Sequence, residues 1–195
     1  MFNKKKYVII LFLIILMMLQ PFSCLLYFTL TQQEIDELTA HLDNKQLTEK
    51  DLNKINHFYN NLISGGSLFY PEASKILKHY IHGNGSDLYI KSPYFFQSKT
   101  MKIILKQMTG DTYGPVTLRI KDDPRIAYAV NGFLLIKKDD EIYITQRIEF
   151  DHSASKGIYT SFPRINDKLI VPDRLIHAFK KKGGCKPFQV YIYKK

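Results

Sequence analysis

In the stretch QRIEFDHSASKG, residues 146–157, Glu149, Asp151 and His152 fall within four positions and Lys156 follows in a small-residue loop. A carboxylate beside an imidazole can relay a proton, and an ammonium can steady charge that develops during a reaction. Arg164 and Arg174 lie further along and could help Lys156 neutralise a phosphate. Glu149, Asp151 and His152 are therefore the candidate catalytic residues, and Lys156, Arg164 and Arg174 the candidate substrate contacts. The competing reading is plain solvation, because strands that run into loops are commonly charged at their ends.

Other chemistry-bearing residues are weaker candidates. His79 and His82 are three apart, the spacing of some metal-binding pairs, but no Cys or carboxylate at ligand spacing accompanies them, so no metal site is assigned. Asp122-Asp123 and Asp139-Asp140-Glu141 offer carboxylate oxygens suited to Mg²⁺, yet each cluster falls at an expected turn, where Asp bonds its own backbone. Of the two cysteines, Cys24 lies in an apolar run and Cys185 in a Lys-Gly-Gly-Cys-Lys stretch, so no disulfide is expected and Cys185 reads as a half-exposed loop thiol.

The elements that must position these residues show two periodicities. Thr31 with Glu34 has capping-box spacing, and a second helix starts at Thr48, carries Leu52, Ile55, Phe58, Tyr59 and Leu62, and is expected to end at Gly65 and Gly66. A third starts at Pro71 and stops at Gly83, and a turn GNGSD leads into a strand LYI. A fourth helix is expected over 99–108. From Gly114 the period drops to two, so VTLRI, RIAYAV, GFLLIKK and EIYITQRIEF read as strands, with a hairpin turn over 138–141. One more helix over 172–182 precedes a final strand, PFQVYIY. The sum is an α+β protein: an N-terminal transmembrane helix, a helical hairpin, then an antiparallel sheet domain with packed helices. The expected divisions are residues 1–30 as membrane anchor or signal, 31–66 as helical stalk or hairpin, and 67–195 as the globular domain.

Charge is distributed unevenly over the 195 residues. The chain has 28 Lys plus Arg against 18 Asp plus Glu, a net +10, with 45% hydrophobic and 13% aromatic residues. Residues 1–30 hold three lysines and no acid, residues 31–149 hold 15 of each sign, and residues 150–195 hold 10 basic against 3 acidic. That division is unlike a uniformly basic nucleic-acid binder, and no aromatic-basic stacking motif is present, so no nucleic-acid partner is expected. Residues 7–30 run without a charge and at about 1.5 Å per residue reach about 36 Å, enough for a hydrocarbon core of about 30 Å. Lys4, Lys5 and Lys6 before the run, and Glu34, Asp36 and Glu37 after it, orient the domain outward. An uncleaved signal-anchor, a cleaved signal peptide and a lipoprotein signal ending at Cys24 remain open, and each exports the domain.

The pieces HYIHGNGSDLYI (79–90), GFLLIKKDDEIYITQRIEF, the loop ending SKG and the closing order of helix, glycine and strand resemble the toxin domain of the colicin M family over about residues 70–194. The resemblance implies a periplasmic domain, here on a single-pass protein of the bacterial inner membrane, that acts on a lipid-linked pyrophosphate such as a peptidoglycan precursor with help from Mg²⁺. Laid on the family's signature, its first Asp falls on Gln146, its Tyr on Ile148, its second Asp on Glu149, its His on Ser155, its Arg on Lys156 and its Gly on Gly157. Only Glu149 and Lys156 keep the charge type, so the fold expectation is stronger than the activity. The alternative is a non-catalytic envelope protein that binds a partner protein, or anionic lipid headgroups through one patch formed by Lys180, Lys181, Lys182, Lys186, Lys194 and Lys195.

Overall fold

The computed structural model describes residues 30–119, 121–130, 132–139, 141–149 and 173–194. In chain order these form α1 (Gln32–Asp43), α2 (Glu49–Phe69), α3 (Pro71–His82), β1 (Leu88–Lys91), α4 (Pro93–Gln97), α5 (Lys99–Gln107), β2 (Thr112–Thr117), α6 (Pro124–Ala129), β3 (Gly132–Lys138), β4 (Glu141–Ile148), a 3-10 helix (Asp173–Lys182) and β5 (Phe188–Tyr193). Among the described residues no helix is long and apolar enough to cross a membrane. The expected membrane segment lies almost wholly outside them.

Helix starts follow local chemistry. Thr31 and Thr48 each close a capping box, with Glu34 and Asp51 as the reciprocal acids. Pro71, Pro93 and Pro124 occupy first turns, where a missing N–H costs nothing. Three expectations at this level are corrected. The strand expected as VTLRI is shifted toward the N-terminus: pairing with β3 sets β2 at Thr112–Thr117, and Leu118 and Arg119 lie beyond it. Helix α2 passes through Gly65 and Gly66 to Phe69, because its backbone ladder is continuous until Pro71 begins the next helix. The run RIAYAV is not a strand: the Asp123 carboxylate accepts from Ile126 N at 3.2 Å and Pro124 follows, which starts α6 instead. Helix α4 is an element the sequence pattern did not indicate.

The strands form one sheet in the order β1-β5-β4-β3-β2, antiparallel except for the β1–β5 pair. The α+β expectation therefore holds for the sheet and its packed helices, with one parallel edge pair inside what was expected to be wholly antiparallel. Alternation places Leu88, Ile90, Val190, Ile192, Phe188, Ile144, Ile148, Phe133 and Leu135 on one face, in a single core with Ile55, Tyr59, Tyr80, Phe95, Met101, Ile126 and Leu175 of the helices. The chain returns from the 3-10 helix so closely against α3 that a Cβ on Gly184 would strike the carbonyl oxygen of Ile81, while Cys185 N donates to Tyr80 O at 2.8 Å.

One polar cluster sits within this packing. Glu72, 5% exposed in the first turn of α3, accepts from Arg125 Nε at 2.8 Å and Nη2 at 2.6 Å, and from Ser92 Oγ at 2.6 Å. The Arg125 guanidinium lies 4.0 Å from the centre of the Tyr94 ring. Burial alone would raise the Glu72 carboxyl, but the bonds from Arg125 and Ser92 outweigh it and hold the group below its usual value.

A depressed folded-state value contributes stability that is present above the unfolded value of 4.5 and is lost as pH falls through the folded value. Arg125→Met is expected to cost about 2–3 kcal/mol in urea denaturation at pH 7, at or below the lower limit of about 3 kcal/mol for a fully buried pair because Arg125 is partly exposed. The variant's deficit should shrink toward pH 4, where its unpaired Glu72 takes a proton. A deficit equal at both pH values would contradict this account.

Candidate functional site

Of the six residues singled out for chemistry, one has a described side chain. Glu149 follows the last residue of β4, half-exposed, and pairs with Arg147 Nε at 3.2 Å. Asp151, His152, Lys156 and Arg164 lie outside the described residues, as do Ser155 and Gly157. Arg174 belongs to the 3-10 helix, with its side chain outside the description. Gln146 and Ile148, where the colicin M-like signature carries Asp and Tyr, stand opposite Val190 and Phe188 on the core side of the sheet. Arg147 points to the other face.

The weaker candidates resolve into local roles. Asp123 caps α6, Asp122 accepts from Arg119 N at 3.1 Å and from its guanidinium at 3.2 Å, and Asp139 takes a positive φ of 51° in the hairpin turn. These are the turn functions expected of them. His79 Nε2 meets Ser86 O at 2.8 Å with its ring edge-on to Phe188, and the His82 ring is edge-on to Phe179. Among the described residues no three His, Cys, Asp or Glu side chains are placed to share a metal ion. The Mg²⁺ implied by the family resemblance thus finds one described carboxylate of its expected neighbourhood, that of Glu149, already paired with Arg147.

Cys185 corrects an expectation. It is 3% exposed rather than half-exposed, because Gly184 lets the chain settle against α3, and its thiol donates to Ile176 O at 3.0 Å. Burial pushes the thiol up to about 12, with only a small opposing pull from Lys180.

The basic C-terminal region is also rearranged relative to its sequence. Lys186 and Lys194 flank β5, which rises about 17 Å from Phe188 to Tyr193 at about 3.3 Å per residue, so they lie at opposite ends of the sheet. Lys194 is thereby set apart from Lys186, while the side chains of Lys181, Lys182 and Lys195 lie outside the described residues.

The feature that the sequence reading missed is the other face of the sheet. Tyr89 of β1 and Tyr191 of β5 are in register and stack, with ring centres 4.9 Å apart and planes 13° apart. Tyr143 of β4 meets Tyr191 edge-on at 6.4 Å and lies 6.0 Å from Tyr193. Leu134 and Ile136 of β3 extend the row, and Gln189 Nε2 donates to Thr145 Oγ1 at 2.5 Å between the strands. Lys91, Lys138 and Arg147 share this face with Glu141 and Glu149, and Tyr143 donates to Glu141 at 3.3 Å. Burial among these neighbours raises the Tyr191 phenol, with Asp87 and Tyr89 adding to the effect, so it stays a neutral donor. No described element packs over the face, and Tyr89 is 60% exposed. The signal lies in the motifs LYI, IYI and VYIY, which alternate an aliphatic with a tyrosine. Both residue types count as apolar, so the two-sidedness does not stand out in a hydropathy pattern.

The fold and this face define a two-layer α+β domain with helices on one side of its sheet. No family model matches the chain, and neither the curated proteins nor the solved structures contain a match.

In a Cys24→Ser background, Cys185 is expected to resist a disulfide reagent at pH 8 in the native protein and to react at once in denaturant. Stoichiometric labelling of the native protein would refute the buried, protonated thiol.

Proposed function

We propose that this chain is an envelope protein, held on the outer face of a bacterial inner membrane by residues 7–30, whose domain binds a partner protein across the open face of its sheet. The observation that carries this reading is the cluster of Tyr89, Tyr191, Tyr143 and Tyr193 on a face that no described element covers. Tyrosine supplies a large rigid contact at low entropic cost and keeps a hydroxyl for the partner's polar groups, which is why it concentrates in protein interfaces with arginine. The near balance of Lys91, Lys138 and Arg147 against Glu141 and Glu149 suits a protein surface better than a polyanion. Base stacking is disfavoured because Tyr89 and Tyr191 already turn ring faces toward each other.

A second reading follows the family resemblance: the domain engages a lipid-linked pyrophosphate, with Glu149, Asp151 and His152 as acid/base groups and Lys156, Arg164 and Arg174 as phosphate contacts. It is favoured by Glu149, which keeps the signature's carboxylate and stands half-exposed at the end of β4.

A photo-crosslinking residue at position 89 of the full chain, in the cells that make it, is expected to yield a discrete protein adduct. The same residue at Lys50 on the helix layer should yield none, and Tyr143→Ala should weaken capture by about tenfold or more. Equal adducts at both positions, or none at 89, would remove the partner reading. Separately, the second reading requires that the purified full chain release a phosphorylated product from a lipid-linked pyrophosphate with Mg²⁺, and that Glu149→Gln abolish the release.

A further inference from the structure

Helices α1 and α2 are joined at two levels: His41 Nδ1 meets Asp51 Oδ2 at 3.0 Å near the turn, and Lys54 Nζ meets Glu34 at 2.5 Å in the first turn of α1. Lys54 and Thr31 hold the Glu34 carboxyl down to about 2, so this second pair stays charged through the ordinary pH range. The pairing folds α2 back along α1, toward the end where the chain enters the domain. From His41 to Leu30 is about 16 Å of helical rise, and from Asp51 to Phe69 about 27 Å, so the far end of α2 extends at least as far from the turn as Leu30 does.

Two features of that far end are unusual for a helix in water. Residues 55–71 contain no Lys, Arg, Asp or Glu, and the last two residues of α2, Leu68 and Phe69, are 80% and 57% exposed. Leu30, the last residue of the uncharged run 7–30, packs against the domain core, and Thr31 is already the cap of α1. No spacer therefore separates the run from the fold.

We infer that Leu68 and Phe69 form a second membrane contact, seated in the interfacial layer of the bilayer that residues 7–30 enter. This inference rests on the membrane-tether reading above. With the run ending at the domain surface, the domain lies against the bilayer, and the end of α2 that faces the same way carries an aliphatic and an aromatic side chain with no charge to resist the interface. Helix α2 continues through Gly65 and Gly66 to present them, although glycine weakens a helix interior. A tether and a wedge at two points fix the domain's tilt, and with it the direction in which the tyrosine face looks.

The test uses the full chain with Cys24→Ser, reconstituted in phosphatidylglycerol–phosphatidylethanolamine vesicles, with Leu68→Cys or Leu134→Cys carrying a polarity-sensitive fluorophore. Flotation with the vesicles reports the tether; a chain that stays behind overturns the tether and the inference together. Given flotation, the label at position 68 should emit to the blue of the label at 134 and be quenched by lipids brominated near the headgroup. A label at 68 that is quenched by aqueous iodide instead overturns the wedge alone. A label protected from iodide yet untouched by brominated lipid points to a second copy or a partner over the tip, and equally overturns it. Both positions are exposed, so the labels leave the fold intact.

Discussion

The bidentate contact between Glu72 and Arg125 is the constraint on which the helical layer depends. Glu72 begins α3, Arg125 lies in α6 immediately before β3, Ser92 follows β1, and Tyr94 in α4 covers the guanidinium. Three widely separated segments meet at this ion pair: the start of α3, the stretch 92–94, and α6. A buried charge without its partner is costly, so each segment is held where the other can reach it. The cluster thereby sets the position of α3 against the edge strand β1 and of α6 against the strand it feeds.

That arrangement makes the sheet one-sided. Helices and the apolar ends of the loops fill the face bearing Ile144, Val190 and Leu135, so the tyrosines on the alternate positions are left with one another. Their mutual stacking gives the row a fixed shape without any covering element among the described residues. Function and fold meet here: the core residues and the exposed rings occupy alternate positions of the same strands, and neither set can shift register without exchanging places with the other.

Much of the local structure is legible in the residues themselves. The capping pairs Thr31 with Glu34 and Thr48 with Asp51, Pro71 as a first-turn residue, Gly83 as a stop and the β3–β4 hairpin act within a few positions, and their physics is complete at that range. Where short-range signals compete, they mislead. RIAYAV alternates like a strand, but the cap at Asp123 decides for helix; Gly65 and Gly66 look like an end, but the ladder continues until Pro71. The charged residue types around Glu149 stand out in the sequence, whereas the tyrosine face does not, because aliphatic and aromatic residues look alike to a hydropathy pattern.

The sequence by itself determined the starts of α1, α2, α3 and α5, the β3–β4 hairpin, the α+β class and the uneven placement of charge, since each depends on neighbours a few residues apart. Only the tertiary structure decided that Arg125 answers Glu72 across 53 positions, that β5 enters between β1 and β4 so that Tyr191 can stack on Tyr89, and that Cys185 is buried. These are long-range pairings, whose partners are chosen by how a common core is filled.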